Sequence, residues 1–405
     1  VICSAVNFDF CILSPLSWAY NPVIRKSQTL QFLGIRSRHL RRLFIQEVGK
    51  TPRQLILENK LNLARKLIVE TAIPITDIAF SSGFNSIRRF NEAFKKRFKK
   101  APREIRRGVL DINEGITLLL PYRPPFDYEG LLKNYEMHRI GDLEWFENGK
   151  MFRVICMNNQ IGFIEVSHEP LKSSLKLKIN FSDMAAIYSI VAKVRELFDL
   201  DSDPVLIANT LEKNSEIKRT LKKYEGIRLS SGWDAFETAV AVILGQLVSV
   251  ERGRCLVRDL IHLTGTDVKI PIIERTFKLF PTPQQIMNAN LTQLKTTNRR
   301  KETLKKFSRA LIEGEITLEP TQDVNLFIKK VQTIKGIGPW TAQYMALKVL
   351  RDTDTFPESD LILARALKLH SKETIESMSP WRSYVASLFW RAYAVTLQKN
   401  RKDLG

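Results

Sequence analysis

A glycine-containing segment in the C-terminal half of the 405-residue chain has the features of a phosphate-binding turn. Residues 333–344 read Thr-Ile-Lys-Gly-Ile-Gly-Pro-Trp-Thr-Ala-Gln-Tyr. Gly336 and Gly338 let the backbone turn tightly after an apolar residue, and the residues that follow are typical of a helix. The free N–H groups at such a helix start can bind phosphate oxygens. The segment therefore predicts a helix-hairpin-helix that binds a phosphate, although Gly-x-Gly alone also fits an ordinary turn.

A lone carboxylate, Asp360, follows this hairpin after an aromatic-rich helix. It lies in residues 356–363, Phe-Pro-Glu-Ser-Asp-Leu-Ile-Leu. The arrangement resembles the helix-hairpin-helix/Gly-Pro-Asp superfamily of DNA glycosylases and, within it, the AlkA-type 3-methyladenine enzymes. Further segments occur in that family's order, at 234–237, 243–249, 280–284 and 380–384. The resemblance covers roughly residues 111–400 and places Asp360 on the catalytic aspartate.

The chemistry that the resemblance assigns to Asp360 is cleavage of an N-glycosidic bond. Departure of the base gives the sugar oxocarbenium character, and a nearby carboxylate stabilises that charge while it orients or deprotonates water. The same side chain is also placed to cap the helix that begins at Leu361. Glu358 is the alternative carboxylate, but it does not match the family's aspartate. We therefore expect Asp360 to be catalytic and to cap the helix as well.

Three aromatic residues match the base-binding positions of AlkA-type enzymes: Trp340, Tyr344 and Trp390. Stacking and cation–π attraction would favour a purine made cationic by alkylation at N3 or N7, by about 0.5–2 kcal/mol per contact. Core packing is the alternative role for any one of them. Some members of the superfamily carry a lysine two residues after the second hairpin glycine and form a Schiff base with it. Trp340 occupies that position here, which predicts a monofunctional glycosylase without lyase activity.

The resemblance also implies how duplex DNA would be opened. It places Leu247, beside Gln246, as the wedge that fills the gap left by the flipped base. The loop at residues 295–301 is shorter than in the family and lacks its glycine, so we expect an altered contact with the DNA backbone. Arg382 either adds positive charge at the DNA or is merely solvated.

Around the hairpin, the resemblance implies a phosphate contact and a cation site. The amides of Gly336 and Gly338 would anchor the phosphate, and Lys335 either adds positive charge there or is merely solvated. A structural monovalent cation would be held by the backbone of Thr333 and Ile337, as in relatives. No catalytic metal or other cofactor is expected.

Basic residues are concentrated in the N-terminal part of the chain, whose formal net charge is +20. Between residues 21 and 110 there are 21 Lys and Arg against 6 Asp and Glu, so 15 of the 20 net charges lie there. A generally solvated surface does not explain this concentration, which indicates a polyanionic partner. No run of eighteen apolar residues occurs, so no segment is expected to span a membrane. The resemblance to DNA glycosylases implies that the polyanionic partner is double-stranded DNA.

The same region contains an internal repeat. Gly34-Ile-Arg-Ser and Gly83-Phe-Asn-Ser each precede a basic amphipathic segment, and each supplies a glycine turn and a serine that can cap the next helix. Residues 75–84 resemble the signature of AraC/XylS-type domains, over about 30–107, which implies two helix-turn-helix units on adjacent major grooves of an operator. A generic helical bundle with a basic face is the alternative. The expected DNA contacts are Arg36, Arg38, His39, Arg41, Arg42, Asn85, Ser86, Arg88 and Arg89.

The predicted fold class is mainly α, with a small sheet between two helical regions. An unassigned segment, 1–27, precedes an AraC-type double helix-turn-helix domain at 28–107, in which 60–67 is a linking helix. Residues 108–205 resemble the antiparallel α+β domain that opens AlkA-type enzymes, and residues 206–405 form an all-α helix-hairpin-helix glycosylase domain. Apolar alternation predicts strands at 116–121, 152–156, 161–166 and 175–179, and a helix at 185–198. Further helices are predicted at 234–248, 251–263, 283–296, 300–313, 323–334, 339–350, 360–369 and 380–399.

The combination of domains resembles Ada-like alkylation-response fusions. Those carry a four-cysteine zinc domain that senses methylated phosphates. The cysteines of this chain, Cys3, Cys11, Cys156 and Cys255, form no such cluster, so direct methyl sensing is not expected.

The principal hypothesis is a monofunctional glycosylase that excises 3-methyladenine and 7-methylguanine in base-excision repair, fused to a sequence-specific transcription-regulator domain. One alternative is a regulator of the alkylation response whose inactive glycosylase half binds DNA or damage. Another is an enzyme whose N-terminal domain is a nonspecific DNA tether. We expect a monomer in the bacterial cytoplasm, associated with the nucleoid.

Overall fold

The computed structural model describes residues 41–42, 44–46, 49–70, 73–106, 115–270, 273–367 and 371–402. The chain divides into two compact units, one of residues 1–121 and 154–196 and the other of residues 122–153 and 197–405. Helices predominate beside a small antiparallel sheet, which confirms the predicted fold class. In the described part of the chain, no helix has the length and apolarity that a membrane crossing requires.

The helix-turn-helix region of the first unit is built around a phenylalanine stripe. Its helices are α1 (Pro52–Glu70), α2 (Ile75–Ser81), α3 (Ile87–Phe98) and α4 (Pro102–Ile105). Phe90 and Phe94 lie one turn apart on α3, are fully buried, and have ring centroids 5.4 Å apart. The turn before α3 requires Gly83 at φ +79°, and Lys60 from α1 donates a 2.5 Å hydrogen bond to the Gly83 carbonyl. The predicted glycine turn is thus confirmed for this helix.

The expected DNA-contacting residues that the structure describes lie mainly on the surface. Arg41, Arg42, Asn85, Arg88 and Arg89 are exposed, and Ser86 is half-buried. Gly34, Arg36, Ser37, Arg38 and His39 lie outside the described residues.

The predicted serine cap of α3 is wrong. Ser86 stands at the N-cap position with an extended backbone, but its side chain makes no hydrogen bond to the helix. Its backbone carbonyl closes the first turn instead, by accepting from the Phe90 amide at 3.0 Å.

The antiparallel sheet has five strands in the order β1, β5, β4, β3, β2. The strands are β1 (Ile116–Pro121), β2 (Glu144–Glu147), β3 (Lys150–Met157), β4 (Gln160–Glu169) and β5 (Ser174–Asn180). Ile116 pairs with Ile179 and Leu118 with Leu177, so buried side chains alternate along both strands. The four predicted strands are confirmed. β2 was not predicted, because its four residues begin and end with glutamate and carry little β pattern.

Two helices accompany the sheet strands in sequence. They are α5 (Tyr128–Met137) and α6 (Ile187–Leu197). The helix predicted at 185–198 is confirmed as α6. Asp127 caps α5 by accepting from the Gly130 amide at 2.9 Å, which satisfies one of the free N–H groups at the helix start.

The rest of the second unit is helical apart from one hairpin. The helices are α7 (Pro204–Leu211), α8 (Ser215–Lys223), α9 (Ala235–Leu244), α10 (Val250–Thr264), α11 (Pro283–Asn288), α12 (Asn298–Ile312), α13 (Val324–Gln332), α14 (Pro339–Lys348), α15 (Leu361–Leu367), α16 (Lys372–Glu376) and α17 (Arg382–Lys402). The hairpin strands are β6 (Asp267–Ile270) and β7 (Arg275–Lys278). Neither this hairpin nor α7, α8 and α16 was predicted.

Two predicted helices end earlier than expected. The helix predicted at 283–296 stops at Asn288, because Asn290 accepts a hydrogen bond from the Thr292 amide at 3.1 Å and the chain turns there. The helix predicted at 234–248 stops at Leu244, since Leu247 adopts φ +52° and leaves the helical path.

A hydrophobic core holds α9, α10, α12, α13 and α14 together. α9 is almost entirely apolar and contributes fully buried side chains such as Val240 and Ile243, while Phe307 of α12 and Met345 of α14 are equally buried. Burial of such a side chain contributes roughly 1.5–3 kcal/mol. The core therefore fixes the ends of these helices, from which the site is built.

Candidate DNA-binding and base-excision site

The glycine hairpin lies between α13 and α14 and is held by two side chains from elsewhere in the fold. Thr303 of α12 donates to the Lys335 carbonyl at 3.1 Å, and the Gln246 amide donates to the Gly336 carbonyl at 3.1 Å. Gly336 adopts φ +106°, and a Cβ there would lie 2.0 Å from Thr303 Oγ1. Gly338 is exposed at the start of α14. The first-turn N–H groups of α14 have no partner within the helix, as in an anion site.

Asp360 is the side chain on which the site converges. Its Oδ1 accepts from the backbone amides of Ile362 at 3.0 Å and Leu363 at 3.2 Å, so the predicted cap of α15 is confirmed. Oδ1 also accepts from Trp390 Nε1 at 3.0 Å, and Oδ2 accepts from Trp340 Nε1 at 3.2 Å. Oδ1 receives three of these bonds and Oδ2 one, so Oδ2 retains more capacity for a sugar cation or a water.

The alternative carboxylate, Glu358, has different surroundings. It is exposed, and its side chain lies 3.3 Å from Lys372 Nζ in an ion pair. No indole contacts it among the hydrogen bonds of the described residues. The geometry therefore favours Asp360 as the carboxylate of the site, while its catalytic role stays a prediction.

Trp340, Tyr344 and Trp390 form one aromatic cluster next to this carboxylate. The rings of Trp340 and Tyr344 are stacked with centroids 5.2 Å apart, and Trp390 meets Tyr344 edge-on at 5.5 Å. A base sandwiched between two rings needs roughly 7 Å, or two contacts of about 3.5 Å. The gap between Trp340 and Tyr344 is therefore too narrow for a base, and the base-binding role of these rings stays a prediction. Burial, with a contribution from Asp360, raises the pKa of Tyr344, so this phenol stays neutral at pH 7.

Lys348 joins the cluster, although the sequence motifs did not single it out. Its Nζ lies 5.8 Å from the ring centroid of Tyr344 and 5.5 Å from that of Trp390. Burial lowers the pKa of Lys348 to about 8, which leaves it largely cationic at pH 7. The available signal was its helical spacing, because Trp340, Tyr344 and Lys348 follow each other at intervals of four residues on α14.

Leu247, the predicted wedge, is the most exposed large apolar side chain of the described residues, with a relative exposure of 102%. Its φ of +52° is unusual for a leucine and indicates that the surrounding loop holds it there. Its predicted companion Gln246 is used differently, because the side-chain amide donates to the Gly336 carbonyl and to Thr341 Oγ1 at 2.8 Å. Gln246 therefore fastens the Leu247 loop to the hairpin. Leu361, next to Asp360, is also exposed, at 66%, and was not predicted as a site residue.

A shallow groove of about 540 Å³ adjoins the Leu247 loop. It includes residues of the segment 295–301, which was predicted as a loop but is the first turn of α12 from Asn298 onward. The basic lining residues are Arg252, Lys295, Arg300 and Lys301. Arg300 donates to the Gln246 carbonyl, and Arg252 donates to the Lys295 carbonyl at 2.5 Å. The segment 295–301 is thus close to the predicted wedge in space, and its positive charge suits a phosphate backbone. The expected alteration of its DNA contact stays a prediction.

The two other basic residues near the hairpin motifs, Lys335 and Arg382, have different surroundings. Lys335 is exposed at the hairpin. Arg382 is half-buried and forms two 2.8 Å hydrogen bonds to the carboxylate of Asp354, so it is not merely solvated. That it adds positive charge at the DNA stays a prediction. The backbone cation site at Thr333 and Ile337 stays a prediction.

Two regions of the chain match known protein families. Residues 30–108 match a helix-turn-helix domain, and residues 117–234 match the AlkA N-terminal domain.

Two bacterial proteins are similar to large parts of this chain. The probable bifunctional transcriptional activator/DNA repair enzyme AlkA of Mycobacterium tuberculosis is 28% identical over 380 residues, which cover 88% of this chain and 75% of that protein. DNA-3-methyladenine glycosylase 2 of Escherichia coli is 28% identical over 279 residues, or 67% of this chain and 95% of that enzyme. Among solved structures, the 3-methyladenine DNA glycosylase of Archaeoglobus fulgidus has the same fold, with a TM-score of 0.57 and 17% identity over 67% of this chain and 96% of its own.

Proposed function

We propose that the chain is a DNA glycosylase with its own transcription-regulator domain. The support is its AraC-type helix-turn-helix domain, its AlkA domain and its homology to the AlkA glycosylases. The proposed reaction is hydrolytic release of alkylated purines, 3-methyladenine and 7-methylguanine, from double-stranded DNA. We place it in the bacterial cytoplasm, at the nucleoid.

The observation that carries the proposal is the convergence of two indoles on the Asp360 carboxylate. Trp340 and Trp390 donate to different oxygens of this side chain and thus fix its plane. As the glycosidic bond breaks, positive charge develops at the sugar, and a fixed carboxylate stabilises that charge without reorganising. The same carboxylate can then orient or deprotonate the attacking water. Alkylation makes the purine a good leaving group, so no acid for the base is required in this proposal.

The hairpin and the Leu247 loop would act on the DNA before chemistry. The amides of Gly336 and Gly338 would bind a phosphate at the start of α14, with Lys335 and a backbone-held monovalent cation adding positive charge. Leu247 would enter the base stack and occupy the gap left by the flipped nucleotide. Gln246 connects the two parts by its bond to the Gly336 carbonyl.

Replacement of Leu247 by alanine is expected to slow base release from duplex DNA by on the order of tenfold, because the flipped state loses the apolar wedge. Release from single-stranded DNA should change little, since no gap has to be filled there. Single-turnover rates on the two substrates measure this difference. Leu206→Ala, at another exposed leucine, is the matched control. Equal loss of activity on both substrates would contradict the wedge role.

The proposed enzyme leaves an abasic site and does not cut the strand, because Trp340 stands where lyases of the superfamily carry their lysine. Incubation of an end-labelled duplex that contains one 7-methylguanine tests this. Intact strands that break only after an abasic-site endonuclease is added are the expected result, because hot alkali would also cut at unexcised 7-methylguanine. Strand breaks without this treatment, together with a covalent protein–DNA adduct trapped by borohydride, would show a Schiff base. That result would contradict the monofunctional assignment.

The helix-turn-helix domain is proposed to recognise an operator. Exposed Asn85, Arg88 and Arg89 surround the start of α3, which in this type of domain faces a major groove. Binding to the chain's own promoter and to a shuffled fragment, each at several salt concentrations, separates a regulator from a tether. Preference for the promoter at all salt concentrations supports regulation, whereas equal, steeply salt-dependent binding of both fragments would favour the tether.

A further inference from the structure

Lys348 places a fixed ammonium group against the aromatic cluster. The side chain extends from the last residue of α14, and its Nζ lies over the rings of both Tyr344 and Trp390, at 5.8 and 5.5 Å from their centroids. A lysine at a helix end can usually extend into solvent. The Lys348 side chain is instead half-buried within the cluster. Its charge would therefore act on a base bound to these rings.

Ser230 holds the ammonium group in this place. Lys348 Nζ donates to the Ser230 carbonyl at 3.2 Å and to the Ser230 hydroxyl oxygen. An ammonium has three N–H donors, and these two bonds use two of them. Within the described part of the chain, no third acceptor contacts Nζ. One N–H is therefore available to an acceptor on a ligand that lies on the aromatic rings.

The cluster thus has a negative end and a positive end. The two indoles of the cluster, Trp340 and Trp390, donate to Asp360, whereas Lys348 Nζ lies over the rings of Tyr344 and Trp390. In the proposed reaction the sugar lies at Asp360. The base extends from the sugar over the rings, so its outer edge is the part that can meet the ammonium.

We propose that Lys348 is a specificity-determining residue that favours alkylated guanine over alkylated adenine. The inference rests on the proposed glycosylase function. Guanine carries an oxygen acceptor at position 6, which can accept the free N–H of Lys348. Adenine carries an amino group at this position, which cannot accept a hydrogen bond from Lys348. Two donors would then face each other, and the N–H of Lys348 would have no acceptor. The positive charge of either alkylated base opposes the ammonium to a similar degree, so this repulsion cancels in the comparison.

The test uses one substrate that contains both lesions. Duplex DNA treated with dimethyl sulfate is incubated with wild-type protein and with Lys348→Met, which keeps the length of the side chain but removes its charge and donors. The ratio of released 7-methylguanine to 3-methyladenine, each corrected for its abundance in the DNA, is measured by chromatography at limited conversion. Both bases come from the same sample, so the amount of folded protein cancels. The expected result is a fall in this ratio of about tenfold or more in the variant, the scale of a hydrogen bond to a charged group.

Two further variants sharpen the comparison. Lys348→Arg keeps a cationic donor and should retain most of the wild-type ratio. Lys335→Met removes a lysine from the hairpin and should lower release of both bases alike, because a phosphate contact does not distinguish them.

The outcomes separate this inference from the proposed function. Release of both bases by the wild type with an unchanged ratio in Lys348→Met would overturn the role of Lys348 and leave the glycosylase intact. A proportional loss of both bases in that variant would likewise overturn it, since it would show a structural role only. Release of neither base by the folded wild type would refute the glycosylase proposal itself, and this inference with it.

Discussion

Replacement of Asp360 by asparagine is expected to lower the rate of base release by about 10²–10⁴-fold. The amide is neutral, so it cannot stabilise positive charge at the sugar or deprotonate water. Its oxygen can still accept from the amides of Ile362 and Leu363, and therefore α15 should keep its cap. Single-turnover release of 3-methyladenine from methylated duplex DNA measures the effect.

Two controls separate catalysis from folding and binding in this experiment. The thermal midpoint and the affinity for undamaged duplex should remain near the wild-type values. Glu358→Gln, at the neighbouring exposed carboxylate, should keep nearly full activity, because Glu358 pairs with Lys372 and contacts neither indole. Full activity of Asp360→Asn, or a large loss in Glu358→Gln, would assign the chemistry to another group.

Replacement of Gly336 by alanine is the second substitution with a large expected effect. A left-handed backbone at φ +106° costs an alanine about 1–3 kcal/mol, and the added Cβ would lie 2.0 Å from Thr303 Oγ1. Thr303 would have to move and give up its bond to the Lys335 carbonyl, at a further cost of about 1 kcal/mol. We expect the free energy of unfolding to fall by about 2–4 kcal/mol and duplex binding to weaken on the order of tenfold.

Gly338→Ala is the matched control for this prediction. Gly338 has φ −91°, which alanine adopts readily, and no atom lies within 4 Å of the position of its Cβ. Its stability should stay within about 0.5–1 kcal/mol of the wild type. Urea unfolding and fluorescence anisotropy on a labelled duplex compare the two variants. Equal stability and affinity in both would show that the conformation of Gly336 does not shape the hairpin.

Local features of the site could be predicted from the sequence. The hairpin requires glycine at Gly336, and the cap at Asp360 involves amides only two and three residues away. Both depend on short-range geometry that residue types encode directly. The sheet strands were predictable for the same reason, since alternation along Ile116–Pro121 and Ser174–Asn180 marks their buried faces.

Features that depend on distant contacts could not be predicted in this way. Gln246 bonds to the hairpin 90 residues further along the chain, and Lys348 bonds to Ser230 over a separation of 118 residues. Arg382 is paired with Asp354, 28 residues before it, and is therefore not merely solvated. The residue types at these positions allow many partners, and only the packing of the helices selects among them.

Free 3-methyladenine released from methylated duplex DNA is the measurement that tests the central claim most directly. Purified wild-type protein and Asp360→Asn are compared at equal concentration, in excess over the lesions, with released bases separated by chromatography. The account predicts rapid release by the wild type and release near the uncatalysed rate by the variant. No release above that rate by folded wild-type protein that binds the duplex would contradict the assignment of a base-excision enzyme.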